Sequence, residues 1–190
     1  GRQGVNVQEV AVGVFVATDL IGANVGLIQT DGGAVLVDSP WVPSQARLWR
    51  QEVERLSPAG VAYLVNTDYH LDHVLGNCYL PRGLTIAHEA TWKHLRSLDR
   101  AAVLERVLEQ EHDAVPDLAE QLADVQLILP QMTVGNAMTL WCQGRRIDIL
   151  HFGGHTPATV GVYVPDRRVL FSGDLVVSGR HPYVGDANSR

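Results

Sequence analysis

The amino-terminal part of the chain alternates apolar and other residues in the way that β-strands do. Valine stands at every second position of residues 10–16, which is the period of a strand with one buried face. Residues 25–30 and 34–37 form two further apolar runs, and Asp31-Gly32-Gly33 between them is a turn sequence. This part of the chain predicts a meander of β-strands.

A helix is predicted after Pro43-Ser44, because apolar residues then recur at helical spacing from Ala46 to Leu56. The compact apolar run at residues 61–65 follows this helix and predicts a buried strand. The apolar run at residues 84–87 predicts another. Strand, helix and strand in succession favour an α/β sandwich over an all-β barrel.

Residues 88–126 are charged and are predicted to be mostly helical, with an apolar stripe that includes Val107 and a break at Pro116. His94 and His112 have no ligand-type neighbours in this segment and are predicted to lie on the surface. Four further strands are predicted after it, at about 133–142, 147–152, 159–164 and 169–172. We therefore expect one domain over residues 1–190.

Composition excludes several functional classes. The 190 residues carry a formal charge of −6, which disfavours binding to nucleic acid through a broad basic face. No apolar stretch is long enough to cross a membrane. Cys78 and Cys142 form neither a disulfide framework nor a close zinc-binding pair. The given sequence shows no charged-then-apolar leader; this favours the cytoplasm slightly and leaves the compartment undetermined.

One short segment concentrates side chains that bind metals. Asp68, His70, Asp72 and His73 lie within six residues, directly after an apolar strand. Strand ends are where α/β folds place their sites, and a mixture of carboxylate and imidazole suits zinc, iron or manganese. A bend into a helix at Asp72 would let one loop serve two metal positions. The plainer interpretation is a helix that Asp72 caps, with histidines on its surface.

Two later segments add to this set. Gly153-Gly154-His155-Thr156-Pro157 follows a strand and places a histidine on a glycine-rich turn, and Ser172-Gly173-Asp174 places a carboxylate at the end of another strand. Six candidate ligands therefore follow strands: Asp68, His70, Asp72, His73, His155 and Asp174.

In this order the segments resemble the metallo-β-lactamase superfamily of metal-dependent hydrolases. That family has a His-x-His-x-Asp-His loop after a strand, then a Gly-His-Thr-Pro turn, then a Gly-Asp strand end. The resemblance extends over essentially the whole chain and includes Asn24-x-Gly26, Leu36-Val37-Asp38 and Gly76-Asn77. It implies an α/β (α+β) fold, a four-layer αββα sandwich of two mixed β-sheets with external helices.

The resemblance also implies roles for the candidate ligands. His70 and His155 would bind a first metal ion, Asp72 and His73 a second, and Asp174 would bridge the two. Asp72 would also orient the attacking hydroxide, which makes it the candidate catalytic residue. The cofactor would be zinc, one or two ions, with iron or manganese as alternatives.

The chain departs from the family pattern in two places. Asp68 stands where the family has its first histidine; it would either bind the metal directly or lie behind the ligands. The family also has a last histidine well beyond the position of Asp174. His181 is the only later histidine here and is a poor substitute. We therefore expect the closing helix and strand to be missing, which favours a homodimer or domain-swapped self-association.

The sequence thus predicts a metallohydrolase in which a metal-bound hydroxide attacks an ester, thioester, lactone, lactam or phosphoester of a small-molecule substrate. Two alternatives remain: a one-metal protein with little or no catalysis, and an iron-dependent oxygenase on the same scaffold. Trp41, Arg180 and Tyr183 are candidates for the cleft wall, and an exposed rim or core packing explains them equally well. Asp38 is either a support for the metal loop or a turn residue. Ser39 lacks partners for a nucleophile.

Overall fold

The computed structural model describes residues 4–179 and Asp186, and in these residues it places eleven strands in two sheets. The larger sheet follows chain order. Its first four strands pair antiparallel and the rest pair parallel, so this sheet is mixed as predicted. Its strands are β1 (Val7–Ala11), β2 (Val14–Ala17), β3 (Val25–Ile28), β4 (Ala34–Val37), β5 (Val61–Val65), β6 (Leu84–His88) and β7 (Met132–Val134).

The smaller sheet has the order β11-β10-β9-β8. All of its described pairs are antiparallel, whereas the sequence predicted a second mixed sheet. No helix crosses over between neighbouring strands here, and parallel pairing needs such a long crossover. Its strands are β8 (Ala137–Cys142), β9 (Arg145–His151), β10 (Val160–Val164) and β11 (Val169–Phe171).

Five α-helices accompany the sheets in the described part of the chain. α1 begins with a proline in its first turn and buries Ala46, Trp49 and Val53, as the helical spacing predicted. None of the helices in the described residues is long and apolar enough to cross a membrane. They are α1 (Pro43–Leu56), α2 (Leu71–Val74), α3 (Glu89–Ser97), α4 (Arg100–Glu111) and α5 (Leu118–Leu122), with 3₁₀ helices at Leu75–Tyr79 and Gly173–Leu175.

Two of the predicted apolar stretches are divided. The valines of residues 10–16 do not form one strand, because the chain turns at Val12 and Gly13 between β1 and β2. Gly13 has a φ of 74°, a left-handed conformation that glycine adopts without steric cost. Residues 133–142 are likewise divided at Gly135-Asn136, and the two halves belong to different sheets. Periodicity alone cannot reveal a turn that preserves the alternation.

The described core has three apolar clusters, and two of them cover the faces of the larger sheet. Between the sheets, Val35, Val65 and Ile86 of the larger sheet pack with Ile147 and Val162 of the smaller one. On the outer face of the larger sheet, Leu27, Leu36 and Leu64 pack against Trp49 and Val53 of α1. The larger sheet is therefore apolar on both faces. The residues that follow β4 and β5 are buried as well, including Asp38 and Asp68.

The outer face of the smaller sheet is more open. Leu140 and Cys142 of β8 point into the core, so Trp141 between them points outward. Trp141 is 76% exposed and Leu170 on β11 is 47% exposed. Within residues 4–179 Trp141 is therefore largely uncovered, and Leu170 is about half covered.

Candidate metal centre

The six predicted ligands come together at one edge of the sandwich. The loop after β5 and the short helix α2 carry four of them, the turn after β9 carries His155, and the 3₁₀ helix after β11 carries Asp174. Parallel β4 and β5 end at this edge, so their loops meet there. The chain bends into α2 at Leu71 with His70 as the N-cap; Asp72 is therefore inside the helix and is not its cap.

The first group of donor atoms belongs to Asp68, His70 and His155. One ligand atom from each lies within 4.8 Å of the others. The Nδ1 atom of His70 is 3.2 Å from Nε2 of His155 and 3.5 Å from Oδ1 of Asp68. Ligands at zinc bond lengths in a tetrahedron stand about 3.3 Å apart, so these separations suit a metal ion.

The second group belongs to Asp72, His73 and Asp174, again with one ligand atom from each within 4.8 Å of the others. The Nε2 atom of His73 is 3.9 Å from Oδ1 of Asp72 and 3.5 Å from Oδ2 of Asp174. The same Oδ2 atom is 3.7 Å from Nε2 of His155. Asp174 therefore lies between the two groups.

His73 tests whether these residues suit a metal. Its side chain is buried, and its Nε2 atom has no hydrogen-bond partner among the described residues. Buried polar atoms in proteins almost always have a partner. The Nδ1 atom faces Oδ2 of Asp38 at 2.9 Å, so the unpartnered nitrogen is the one directed at Asp72 and Asp174. The donor set therefore fits a divalent cation.

The surroundings of His73 and Asp174 shift the pKa of each residue. Burial alone would lower the pKa of His73, but the carboxylates of Asp38, Asp174 and Asp72 raise it well above its usual value. Contact with His73 in turn lowers the pKa of Asp174, against the opposing effect of burial. A metal ion bound at Nε2 of His73 would therefore have to compete with a proton.

Asp38 contacts the metal loop, which is the first of the two interpretations that the sequence left open. Its Oδ1 atom accepts the backbone N–H of Thr67 at 2.7 Å, and Oδ2 accepts the Thr67 hydroxyl at 2.6 Å. The residue is buried and has a φ of 58°. The carboxylate is therefore held by Thr67 while it orients His73.

A second buried network fixes α2. The Nδ2 atom of Asn66 donates to the carbonyl of His73 at 2.9 Å, and that of Asn77 donates to Oδ1 of Asn66 at 2.8 Å. The Ser39 hydroxyl lies within hydrogen-bond distance of Oδ1 of Asn77 and of the same carbonyl. Ser39 therefore has a structural contact here, consistent with the expectation that it is not a nucleophile.

Asp68 differs from the other five candidate ligands. It is completely buried, and its two oxygens accept hydrogen bonds from the backbone of Tyr69 and His70 and from the hydroxyls of Thr156 and Thr159. The loop after β5 and the turn after β9 are therefore joined through this carboxylate.

A cavity of about 660 Å³ opens over both groups. His70, Asp72, His155 and Asp174 line it, and so does Trp41; Trp41 also belongs to a buried apolar cluster, so it both lines the cavity and packs in the core. Arg180, Tyr183 and His181 lie outside the described residues. Further residues that line the cavity are Ile21, Tyr69, His94, Leu98, Arg106, Glu111 and Asp186.

Sequence reasoning predicted none of these further residues at the site, and three of them bear on its chemistry. His94 is exposed as predicted, but its ring stacks on Tyr69 with 4.2 Å between centroids and lines the cavity. Arg106 belongs to α4, whose buried residues Val103 and Val107 orient the helix. The Oδ2 atom of Asp186 is 2.9 Å from Nε2 of His70. Only the fold brings these residues near the strand ends, so no local motif could have identified them.

Comparison with known proteins agrees with this architecture. A family model described as the metallo-beta-lactamase superfamily matches residues 18–188, and the chain belongs to this superfamily. The metallo-beta-lactamase from Pontibacter korlensis superposes with a TM-score of 0.67 at 20% identity, over 97% of this chain and 79% of that one. The sec-alkylsulfatase Pisa1 from Pseudomonas sp. has a TM-score of 0.67 at 19% identity, over 85% of this chain and 30% of that one.

A curated relative is also similar in sequence. The 2,4-dinitroanisole O-demethylase subunit alpha of Nocardioides sp. (strain JS1661) is 26% identical over 156 residues. The match covers 80% of this chain and 40% of that protein, so the chain spans less than half of the relative's length. At such identities the solved structures establish the fold, and the reaction has to be argued from the site.

Proposed function

We propose that the chain is a metal-dependent hydrolase that acts on a small-molecule substrate. The observation that carries the proposal is the buried Nε2 atom of His73, which has no partner in the described residues and lies 3.5 Å from Asp174. Bound divalent ions, zinc in the first instance, would make water acidic enough to form hydroxide near neutral pH and would stabilise negative charge on the substrate.

The chain's own residues have distinct roles in this proposal. His70 and His155 would hold the first ion, Asp72 and His73 would hold the second, and Asp174 would be shared between them. Asp72 is also the proposed catalytic residue, because its side chain lines the cavity and could orient a water molecule there. Asp38 keeps the proton of His73 on Nδ1, so that Nε2 is available as a donor.

The residues that line the cavity indicate a broad class of substrates. Its walls combine aromatic, aliphatic and charged side chains, so a compound with an apolar body suits it. The similar proteins are described as a lactamase, an alkylsulfatase and an O-demethylase, so one fold accommodates different bonds. We propose an ester, thioester, lactone, lactam or phosphoester as the bond that this chain hydrolyses.

The test combines metal content with turnover. Protein loaded with zinc, manganese or iron is analysed for bound metal and assayed against a panel of those five bond types. We expect up to two ions per chain and turnover that chelation abolishes. D72A should lower kcat by about 100-fold or more, whereas D113A, which changes an exposed carboxylate, should leave it unchanged. Turnover that persists in D72A for every accepted substrate would refute the role of Asp72.

A second candidate function is a one-metal protein with little catalysis. The specific observation in its favour is the hydrogen bonding of Asp68, which leaves the first group with fewer free donor atoms than the family pattern implies. One tightly bound ion together with no turnover on the whole panel would favour it over the hydrolase.

A further inference from the structure

We infer that Asp68 is a positioning residue that ties together the two loops bearing His70 and His155, and that it does not bind the first metal ion. This inference rests on the proposed function only in that a divalent ion is held by those histidines. It concerns the one position at which the loop departs from the His-x-His-x-Asp-His pattern.

Distance alone does not separate the two roles. The Oδ1 atom of Asp68 lies 3.5 Å from Nδ1 of His70, which also fits the edge of a coordination tetrahedron. The two roles differ in whether a lone pair of the Asp68 carboxylate is available to the metal. An ionised carboxylate offers about four lone-pair positions in all, and an oxygen needs one of them to bind a metal.

All four positions are used within the protein. The Oδ1 atom accepts the backbone N–H groups of Tyr69 at 2.7 Å and His70 at 3.2 Å. The Oδ2 atom accepts the hydroxyls of Thr156 at 2.8 Å and Thr159 at 2.9 Å. Because Asp68 is completely buried, water cannot replace any bond that it gives up, and breaking one would leave a buried donor without a partner.

The hydroxyl protons are directed at Asp68 by the backbone around them. The Thr159 hydroxyl accepts the N–H of Thr156 at 2.9 Å, and the Thr156 hydroxyl accepts the N–H of Ala158 at 3.1 Å. Each hydroxyl therefore receives one hydrogen bond from the backbone, and its own proton is free to point at the carboxylate. The turn after β9 is thus built as a donor for Asp68.

The consequence concerns the geometry of the histidines. Asp68 holds the backbone of His70 on one side and the residue next to His155 on the other, so it stabilises, before any ion binds, the arrangement in which their ring nitrogens are 3.2 Å apart. The first ion would then have His70, His155 and Asp174 as protein ligands. Three protein ligands and an open position are typical of a catalytic zinc site.

The negative charge of Asp68 still acts on the site. It lies close to the first group without occupying a coordination position, so it attracts a cation by charge alone. A histidine at this position would supply a neutral donor instead. Compared with a histidine, Asp68 therefore provides no metal bond, but it provides a fixed negative charge and connects the two loops.

Cobalt(II) provides the test, because its visible absorption reports the ligands around the ion and does not require turnover. The full chain and its D68N variant are titrated with cobalt in competition with a chelator. In D68N the remaining carbonyl oxygen can still accept the two backbone N–H groups. We expect the same band positions and intensity per cobalt as in the unmodified chain, with an affinity lowered by about 10- to 100-fold.

D72N is the matched control, because it makes the same chemical change four residues away at a proposed ligand. Its cobalt spectrum should change and one of the cobalt ions should be lost. A comparable spectral change or loss in D68N would overturn the inference while leaving the proposed hydrolase intact. Failure of the unmodified chain to bind any cobalt would overturn both.

A structural measurement covers the case in which D68N does not fold. In a crystal of the unmodified chain soaked with zinc, anomalous scattering locates each ion. We expect the first ion to lie well beyond bonding distance from both oxygens of Asp68, with the hydroxyls of Thr156 and Thr159 still bonded to it. A zinc–oxygen distance of about 2.0–2.2 Å, the value for a carboxylate ligand, would contradict the inference.

Discussion

The Nδ1 atom of His73 lies 2.9 Å from the Oδ2 atom of Asp38, and this contact decides which nitrogen of the ring is available to a metal. An ionised carboxylate only accepts hydrogen bonds, so the proton of a neutral His73 is held on Nδ1. The lone pair is then on Nε2, the atom directed at Asp72 and Asp174. Asp38 ends β4, so an element of the larger sheet orients a residue of α2.

The first prediction concerns this proton. In D38N the amide nitrogen would face Nδ1 of His73 and donate to it, which places the ring proton on Nε2. Zinc affinity should fall by about 10- to 100-fold, as for other residues that orient a metal ligand, with a smaller change in stability. Competition with a chromophoric chelator near neutral pH measures the affinity.

D31N is the control, because Asp31 is an exposed residue of the turn between β3 and β4. It should bind zinc as the unmodified chain does. If D38N also retained full affinity, the tautomer of His73 would not depend on Asp38.

The second prediction concerns the close approach that fixes α2 behind the site. A Cβ atom at Gly76 would lie 1.8 Å from the carbonyl oxygen of Pro40, a distance that no side chain tolerates. G76A must therefore separate two backbone segments, and we expect a loss of about 3 kcal/mol in the free energy of unfolding. Urea denaturation measures this loss.

Gly135 provides the comparison for this substitution. A Cβ atom there has no neighbour within 4 Å, and its φ is not among the positive values. G135A should change stability by less than about 0.5 kcal/mol. Equal effects of G76A and G135A would show that the contact with Pro40 is not what requires glycine.

Much of this site could be predicted from sequence, because its parts are local. The strand at residues 61–65 and the helix from Pro43 are strongly patterned, and the metal-competent side chains follow directly after strands. Gly76 is part of the sequence resemblance, but the reason why glycine is needed there is the close Pro40 carbonyl, which is distant in sequence. The physical role of such a residue becomes visible only when the fold is known.

Other features depend on contacts between distant segments and gave no local signal. Asp186 lies within hydrogen-bond distance of His70, and Thr159 donates to Asp68, although neither residue belongs to a recognisable spacing with its partner. Likewise, the alternation of valines continues through the turn at Gly13. A period of two indicates which face of the sheet a residue occupies, but it does not indicate where the chain turns from one strand into the next.

The third prediction concerns acid stability. The ring of His88 is buried at the end of β6 and stacks on His151 with 4.0 Å between centroids. Burial lowers the pKa of His88, and the nearby His151 lowers it further. Glu89 and Lys93 act on the same ring with opposite signs. The unfolded chain therefore binds a proton at a higher pH than the folded chain does.

Stability should consequently decrease as the pH falls below about 6.5, the value for an unperturbed histidine, and it should be fully present above that pH. H88N keeps an oxygen that can accept the N–H of Ala90, as Nδ1 of His88 does at 3.1 Å, but it does not titrate. Urea denaturation at several pH values should give a difference between the two proteins that grows on acidification in favour of H88N. Parallel curves would contradict the prediction.

The last prediction concerns Arg106 and the charge of the substrate. Arg106 supplies the only arginine or lysine side chain among the described residues that line the cavity. It has no hydrogen bond or ion pair to any residue that the structure describes. The two other arginines of α3 and α4 do have partners: Arg96 stacks on Trp92, and Arg100 donates to the carbonyls of Ala123 and Val125. A guanidinium in such a position can bind a carboxylate or sulfate group through two parallel hydrogen bonds.

We therefore expect the chain to favour a substrate with an anionic group over its uncharged analogue, for example the 4-nitrophenyl monoester of succinate over 4-nitrophenyl butyrate. R106Q should lower kcat/KM for the charged ester by about 10- to 100-fold, the range for hydrogen bonds to charged groups. The loss should appear in KM and not in kcat, because the contact is present both before and during the reaction. R96Q removes a guanidinium that stacks on Trp92 outside the cavity, so it should alter neither ester. If R106Q slowed both esters equally, Arg106 would act on the fold of α4 and not on the charge of the substrate.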